Sequence, residues 1–247
     1  MLGIYPKNSL ADSVDILRSF RKLSVCGAVK DPRNPGHPDG WGILSWVNGM
    51  PGYFGREPTD ASKDPKFEEG CRTIESTKIS SPLIAHLRKA SVGAKTKENT
   101  HPFVNGKWAF AHNGTIRGLN LRVATDSQWF FEKLLERSSV SDGDMIIALA
   151  QQVKHVRKVY RYSSMTFMLS DGSELYAYRD YSKEDAYYTM FYTRTKEGLI
   201  FCQEKIFESD WQEVQNGELV VVNTSMVPKS YDIQQEIVRS KELLTTA

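Results

Sequence analysis

Cysteine, long apolar runs and an excess of charge of one sign are all scarce in this chain of 247 residues. The three cysteines are Cys26, Cys71 and Cys202, and no two of them stand at C-x-x-C spacing, which argues against a disulfide scaffold and a structural zinc site. No apolar run approaches the roughly 20 residues that cross a bilayer, and charged residues within positions 1–25 exclude a signal-peptide core. These absences predict a protein of the reducing cytoplasm that does not enter a membrane.

Charge and short motifs exclude further classes of function. Lys and Arg number 32 against 30 Asp and Glu, mixed along the chain, so the net charge of +2 gives no argument for a nucleic-acid partner. No G-x-G-x-x-G or P-loop pattern is present, and no group of His, Cys and Asp has metal-ligand spacing. We therefore predict no metal and no cofactor. The chain shows no linker and no repeat, and we predict a single domain over residues 1–247.

The order of the predicted elements favours the α+β class. Ser9 and Thr125 are candidate helix caps, and Gln128 completes a capping box with Thr125. Helical periodicity is found over residues 9–23, 125–135 and 142–156. Strands are predicted at residues 41–47, 82–88, 107–112, 165–169, 174–179, 186–192, 199–203 and 218–223, and a polar loop at 56–70. Strands in runs, with helices grouped between them, indicate antiparallel sheets that carry helices on their outer faces.

Asn113-Gly114 is the most informative pair in the chain. It interrupts a strand pattern that reads Trp-Ala-Phe-Ala-His before the pair and Thr-Ile after it. By itself the pair is typical of a hairpin turn, because Asn and Gly tolerate positive φ. Its position between Arg88 and Asp126 suggests a second interpretation, in which the pair belongs to a binding site.

Five segments in this order resemble the class II, or N-terminal nucleophile, glutamine amidotransferases. They are residues 39–43 (DGWGI), 85–93 (AHLRKASVG), 99–103 (NTHPF), 108–116 (WAFAHNGTI) and 125–127 (TDS). The strand-rich second half is similar to that of the small stand-alone members of the family. The resemblance implies the N-terminal nucleophile hydrolase fold, a four-layer α-β-β-α sandwich of antiparallel sheets.

The resemblance assigns Arg88 and Asp126 to the two charged groups of glutamine. A guanidinium makes a bidentate pair with a carboxylate, so Arg88 suits the α-carboxylate of the substrate. Asp126 suits the α-ammonium. Each residue also has a structural interpretation: Arg88 as an exposed arginine at a strand end, and Asp126 as a first-turn carboxylate favoured by the helix dipole. For Asp126 both interpretations can hold at once.

Asn113 and Gly114 are expected to form the oxyanion hole, with one side-chain amide and one backbone N–H. Ser91 and His101 lie in the matching segments and complete the predicted substrate-binding set. The resemblance makes the free α-amine of the nucleophile the catalytic base. We therefore expect His86, His101 and His112 to hydrogen-bond neighbouring loops rather than to act as acid or base.

The family's nucleophile has no counterpart in this sequence. Related chains begin Met-Cys-Arg followed by Leu or Met and then Leu-Gly, whereas this chain reads Met1-Leu2-Gly3. Aligned on Leu2-Gly3, the nucleophilic cysteine would stand two positions before Met1. One hypothesis is that the native protein begins three residues upstream; the other is that the nucleophile has been lost. Under both, we predict that the chain as written lacks glutaminase activity.

The resemblance implies release of ammonia from glutamine, or hydrolysis of a related γ-glutamyl amide, through a cysteine thioester. A separate synthase partner would accept the ammonia. The alternative is a catalytically inactive homologue that binds glutamine or docks on a partner enzyme. The aromatic stretch Tyr187–Tyr192 is predicted to pack in the core, with a partner surface as the other interpretation.

Overall fold

The computed structural model describes residues 1–76, 78–91, 93–120 and 125–238. Their strands are β1 (Leu2–Pro6), β2 (Trp41–Val47), β3 (Met50–Glu57), β4 (Leu83–Leu87), β5 (Phe103–Asn105), β6 (Trp108–Arg117), β7 (Arg161–Ser170), β8 (Leu175–Tyr178), β9 (Phe191–Arg194), β10 (Gly198–Cys202), β11 (Gln212–Glu213), β12 (Glu218–Val222) and β13 (Lys229–Asp232). The helices include α1 (Val14–Arg21), α2 (Leu23–Cys26), α3 (Pro65–Glu75), α4 (Asp126–Val140) and α5 (Met145–Val159), and a 3₁₀ turn over Leu10–Ser13 precedes α1. Residues 233–238 are also helical.

The strands form two antiparallel sheets. The first has the order β11-β9-β10-β1-β4-β2-β3, and the second has the order β13-β12-β8-β7-β6-β5. Strand β1 is central in the first sheet, where Leu2 pairs with Cys202 of β10 on one side and with Ala85 of β4 on the other. The start of the described chain therefore lies inside a sheet and not at its edge.

Three apolar cores separate four layers. One core lies between the first sheet and α1 and α3, and contains Leu17, Phe67 and Ile43. A second lies between the sheets, and the third lies between the second sheet and α4 and α5. The α-β-β-α arrangement predicted from the resemblance is thereby confirmed.

Both faces of the central strands are buried, which explains their continuous apolar sequences. In β10, Leu199 and Phe201 face the core between the sheets, whereas Ile200 and Cys202 face the helices of the first sheet. This alternation follows from the two-residue period of a strand.

Side chains cap the helices at the predicted places. The Ser9 hydroxyl accepts from the N–H of Ala11 at 3.2 Å, and the Thr125 hydroxyl accepts from the N–H of Gln128 at 3.2 Å. The Gln128 side chain bonds Glu132 at 3.0 Å instead of returning to the cap. Only the Thr125 half of the predicted capping box is therefore formed, and it fixes where α4 begins.

Two predicted elements are wrong. The strand predicted over residues 186–192 begins only at Phe191, because the carbonyls of Asp185 and Tyr188 accept hydrogen bonds from the Arg179 guanidinium, at 3.1 and 2.7 Å. The loop predicted over 56–70 contains the end of β3 and the start of α3. The core interpretation of the aromatic stretch is confirmed for Tyr188, which is buried.

No helix in the described parts of the chain is long and apolar enough to cross a membrane.

Candidate active site

A cavity of about 430 Å³ opens beside the start of β1, the end of β4, the middle of β6 and the first turn of α4. This volume lies within the range of roughly 300–1,000 Å³ that is typical of small-molecule sites. All six residues predicted for the site line it: Arg88, Ser91, His101, Asn113, Gly114 and Asp126. The fold therefore brings together residues that are spread over almost forty positions of the sequence.

Asn113 and Gly114 lie within β6 and not in a turn. The strand runs through the pair from Trp108 to Arg117, and neither residue has positive φ. The hairpin interpretation is therefore wrong. A β-bulge follows Gly114 in the pairing of β6 with β7, and bulges of this kind re-aim neighbouring groups beside functional sites.

The backbone of Gly114 faces away from β7. Met165, the residue opposite Gly114, donates its N–H to the Asp180 carbonyl on the β8 side at 2.9 Å. Since the N–H and C=O of a strand residue point to the same side, Gly114 and Met165 are not a hydrogen-bonded pair. On the other side, β5 reaches only to Phe103, opposite Phe110. The Gly114 N–H thus points beyond the end of β5, at the cavity that Gly114 lines.

The side chain of Asn113 faces the first sheet. Ala109 and Ala111, four and two positions earlier in β6, belong to the core between the sheets, and the strand period places Asn113 on the same face. Gly114 occupies a position that admits no side chain, since a Cβ atom there would lie 2.0 Å from the Ser164 carbonyl oxygen. The pair therefore presents a side-chain amide and an adjacent backbone N–H to one cavity.

Asp126 is a buried carboxylate in the first turn of α4. Its Oδ2 atom accepts a hydrogen bond from the N–H of Ile116 in β6 at 2.7 Å. Among the described residues, Oδ1 has no hydrogen-bond partner. The residue therefore has the expected first-turn position and retains an oxygen for a ligand in the cavity that it lines.

Arg88 is 5% exposed, so its interpretation as an exposed arginine is wrong. Its backbone N–H donates to the Gly40 carbonyl at 2.7 Å, and its guanidinium donates to the carbonyls of Ala94 and Gly93 at 3.0 and 3.5 Å. Burial lowers the pKa of Arg88, while the nearby carboxylate of Asp39 opposes the shift. The cavity thus holds a fixed, largely desolvated cation. Ser91 lies at the exposed rim.

The histidines near the site behave differently from one another. The rings of His86 and His101 are buried, with centroids 4.5 Å apart, and the ring of His101 also contacts Phe103. Neither ring nitrogen of His101 has a hydrogen-bond partner in the described structure. Burial lowers the pKa of both residues far below the ordinary value. His112 bonds the Ser127 hydroxyl in α4 and the Ser164 carbonyl in β7. The expected bonds from these histidines to neighbouring loops are therefore not found among the described residues.

Met1 contributes its α-amine to the cavity. The amine is buried and donates to the Gln203 side-chain oxygen at 3.2 Å, and burial lowers its pKa. No cysteine lines the cavity. Cys26 is exposed elsewhere, and burial raises the pKa of Cys71 to about 12 and also that of Cys202.

The far half of the cavity contains residues that sequence reasoning missed. Both carboxylate oxygens of Glu204 accept from the N–H of Ala28 at 3.1 Å, and His37 Nε2 lies 3.8 Å from the same carboxylate. The His37 side chain is only 16% exposed. No local signal marks Glu204, because only the pairing of β10 with β1 brings it to the site. The described residues contain no group of three or more His, Cys, Asp or Glu that could hold a metal.

Comparison with known proteins places the chain in a family. Residues 8–199 match the family described as glutamine amidotransferases class-II. An uncharacterized protein of Methanocaldococcus jannaschii is 30% identical, over 76% of this chain and 62% of its own length. The Escherichia coli protein YafJ, which carries a provisional glutamine amidotransferase name, is 29% identical over 66% of this chain and 68% of its own length. The chain thus spans less than two thirds of the Methanocaldococcus protein.

Two solved structures share the fold. A glutamine aminotransferase class-II domain protein from Silicibacter pomeroyi superimposes with a TM-score of 0.62 at 20% identity, covering 79% of this chain and 96% of that one. The glutamine phosphoribosylpyrophosphate amidotransferase of Bacillus subtilis gives a TM-score of 0.54 at 16% identity, covering 94% of this chain and 48% of that one. The family match covers more than half of the chain, and the chain belongs to the class II glutamine amidotransferases.

Proposed function

We propose that the cavity binds glutamine and that this domain releases ammonia from it once a nucleophile is supplied. The observation that carries the proposal is the outward-facing N–H of Gly114, which lies beside the Asn113 side chain in a cavity that also contains a buried cation and a buried carboxylate. That set matches the groups of glutamine, which has an α-carboxylate, an α-ammonium and an amide carbonyl.

Arg88 and Asp126 are proposed to hold the α-carbon end of the substrate. The planar guanidinium of Arg88 pairs with the α-carboxylate, and the loop carbonyls that already bond it fix its orientation. The Oδ1 atom of Asp126 accepts from the α-ammonium while Oδ2 stays bonded to Ile116. Ser91 and His101 are proposed as further substrate contacts, at the rim and at the base of the cavity.

Asn113 and Gly114 are proposed to bind the oxyanion that forms when the amide carbon is attacked. Removing one oxyanion-hole donor typically costs on the order of 10²–10³ in kcat. Attack by a thiolate displaces the amide nitrogen as ammonia, and the thiol proton reaches that nitrogen through the α-amine of the nucleophile. A γ-glutamyl thioester remains, and water hydrolyses it to glutamate and the free thiol.

The strand register indicates where a nucleophile would stand. Leu2 pairs with Ala85 of β4 and with Cys202 of β10. If β1 is extended in the same register, the residue two positions before Met1 lies opposite Arg88 and Lys205. We therefore propose that the polypeptide that starts at Met1 does not hydrolyse glutamine. A variant extended by Met-Cys-Arg, from which the initiator Met is removed, is expected to do so.

The test compares three purified proteins: the polypeptide that starts at Met1, the Met-Cys-Arg extension, and a Met-Ser-Arg extension as the matched control. Release of glutamate and ammonia is measured, and glutamine binding is measured by calorimetry. Turnover by the cysteine extension alone supports the proposal. Binding without turnover in all three supports an inactive glutamine-binding homologue. Absence of both binding and turnover overturns the proposal.

We propose that a separate synthase accepts the ammonia. A γ-glutamyl amide other than glutamine is the second candidate substrate. We further propose that residues 1–247 act as one domain located in the cytoplasm. The pairing of β1 with β10 supports a single domain, because it joins the first described strand to one about two hundred residues later.

A further inference from the structure

His112 immediately precedes the Asn113-Gly114 pair and is 4% exposed. Its ring joins two different elements. Nδ1 lies 2.8 Å from the Ser127 hydroxyl in the first turn of α4, and Nε2 lies 3.1 Å from the Ser164 carbonyl oxygen in β7. Both ring nitrogens are therefore occupied, which makes this ring different from that of His101.

The partners define the protonation of the ring. A carbonyl oxygen can only accept, so Nε2 of His112 must carry the hydrogen that bonds Ser164. Burial lowers the pKa of His112, although Asp126 opposes the shift, and the ring is therefore neutral near pH 7. Nδ1 is then an acceptor, and the Ser127 hydroxyl donates to it. The ring has one tautomer and two directional bonds.

Each bond ends beside one part of the site. The Ser164 carbonyl stands where the bulge interrupts the pairing of β6 with β7, and it lies so close to Gly114 that a Cβ atom there would be 2.0 Å away. Ser127 directly follows Asp126 and is itself buried. His112 thus lies between the backbone that carries the oxyanion donor and the turn that carries the carboxylate.

We propose that His112 is a positioning residue that fixes the distance between the Asn113-Gly114 donors and the Asp126 carboxylate. The inference rests on the proposed function. It adds that the α-ammonium site and the oxyanion site are mechanically joined through one imidazole. A displacement of about 1 Å at a reacting centre can cost roughly 10² in rate, so loosening this link should lower kcat. His112 and Ser127 both line the cavity, and their proposed role is to hold the donors and the carboxylate in place.

Ser127→Ala is the variant that tests the link. It removes the donor to Nδ1 and leaves the direct hydrogen bond from Ile116 to Asp126, so α4 keeps one tie to β6. Ser127→Thr retains a hydroxyl and serves as the conservative rescue. Ser138→Ala is the matched control, because Ser138 is buried on the same helix and does not line the cavity.

The first measurement needs no catalysis. In the ¹⁵N-labelled polypeptide that starts at Met1, the long-range ring couplings of His112 should report the Nε2–H tautomer. Ser127→Ala should shift the Gly114 amide and Asn113 side-chain resonances, which lie across the ring from the substitution. Ser127→Thr and Ser138→Ala should leave those resonances in place. Unchanged resonances in Ser127→Ala, or the opposite tautomer, would overturn the proposal.

The second measurement uses the Met-Cys-Arg extension. Ser127→Ala should lower kcat about tenfold or more, with KM within roughly threefold of the parent and with recovery in Ser127→Thr. A merely structural serine would lower the melting temperature without changing kcat per folded molecule, and that outcome contradicts the proposal. If the extended parent itself is inert, the proposed function fails, while the resonance measurement still decides whether His112 joins the two sites.

Discussion

The N–H of Ile116 in β6 donates to the Asp126 carboxylate at the start of α4 across 2.7 Å. This bond lies two residues beyond Gly114, so the carboxylate is fixed to the strand that carries the proposed oxyanion donors. Asp126→Asn keeps an acceptor oxygen for Ile116 but removes the negative charge. It therefore separates the structural role of the residue from its proposed role in binding.

Asp126→Asn should weaken glutamine binding. A hydrogen bond to a charged group contributes about 1.5–3 kcal/mol, which corresponds to an increase of roughly 10- to 150-fold in Kd. Calorimetry with the polypeptide that starts at Met1 measures the effect. Asp144→Asn, at the cap of α5 and outside the cavity, is the control and should bind as the parent does. Equal affinity for Asp126→Asn and the parent would remove Asp126 from the binding site.

Gly114→Ala should destabilise the fold and abolish turnover in the extended form. The added methyl would meet the Ser164 carbonyl, and an overpacked position of this kind costs about 1–3 kcal/mol of unfolding free energy. Denaturant titration measures the loss. Gly49→Asn is a suitable comparison, because a side chain there meets no atom within 4 Å and Asn tolerates its positive φ. A fully stable and active Gly114→Ala variant would contradict the described strand geometry.

The extended form should depend on Glu204. Continuing the register places the residue directly before Met1 opposite Leu87 and Glu204, so the arginine of Met-Cys-Arg would face a carboxylate. Glu204→Gln, and a Met-Cys-Ala extension, should each lower kcat/KM. Their combination should be less than additive, with a coupling of about 0.5–3 kcal/mol between neighbours in contact. Strict additivity in this double-mutant cycle would show that the two groups do not meet.

Stability should fall as the solution is acidified below pH 6.5, the ordinary pKa of histidine. Burial lowers the pKa of His86 and His101, so below pH 6.5 the unfolded chain binds protons that the folded chain does not. Each such histidine then removes about 1.4 kcal/mol of unfolding free energy per pH unit. Urea titration between pH 7 and pH 5 measures the slope. His101→Leu should reduce the slope of unfolding free energy against pH by the contribution of one histidine. An unchanged slope would argue against neutral burial of His101.

The native chain should react with a thiol reagent at Cys26 alone. Cys26 is exposed, whereas burial raises the pKa of Cys71 and Cys202 and withholds their thiolates. One equivalent of the thiol reagent is expected to react fast in buffer, and three equivalents are expected to react in denaturant. Cys26→Ala should leave turnover of the extended form intact. Loss of turnover in that variant would identify an internal nucleophile in place of the added cysteine.

The sequence was most informative where local chemistry decides the structure. Thr125 caps α4 because a hydroxyl satisfies an orphan N–H, and that cap places Asp126 in the first turn. The pair Asn113-Gly114 was misleading as a local signal, because the tertiary pairing with β7 overrides its turn preference. Only the likeness of the flanking segments to a family made the pair informative.

Residues brought in by long-range pairing could not be predicted. Glu204 and His37 face the cavity because β10 lies beside β1 and because the loop before β2 folds over the same end of the sheet. The strand predicted over residues 186–192 failed for a related reason. The carbonyls of Tyr188, within it, and of Asp185, just before it, bond the Arg179 guanidinium, a partner that no local pattern reveals.

The central place of β1 also affects the order of events during synthesis. Residues 2–6 leave the ribosome long before β10, which emerges about two hundred residues later. Pairings so distant in sequence form late, because their loops are costly to close. β1 can therefore pair with β4 well before β10 completes its other side. The cavity wall that contains Gln203 and Glu204 is completed only after β10 has emerged.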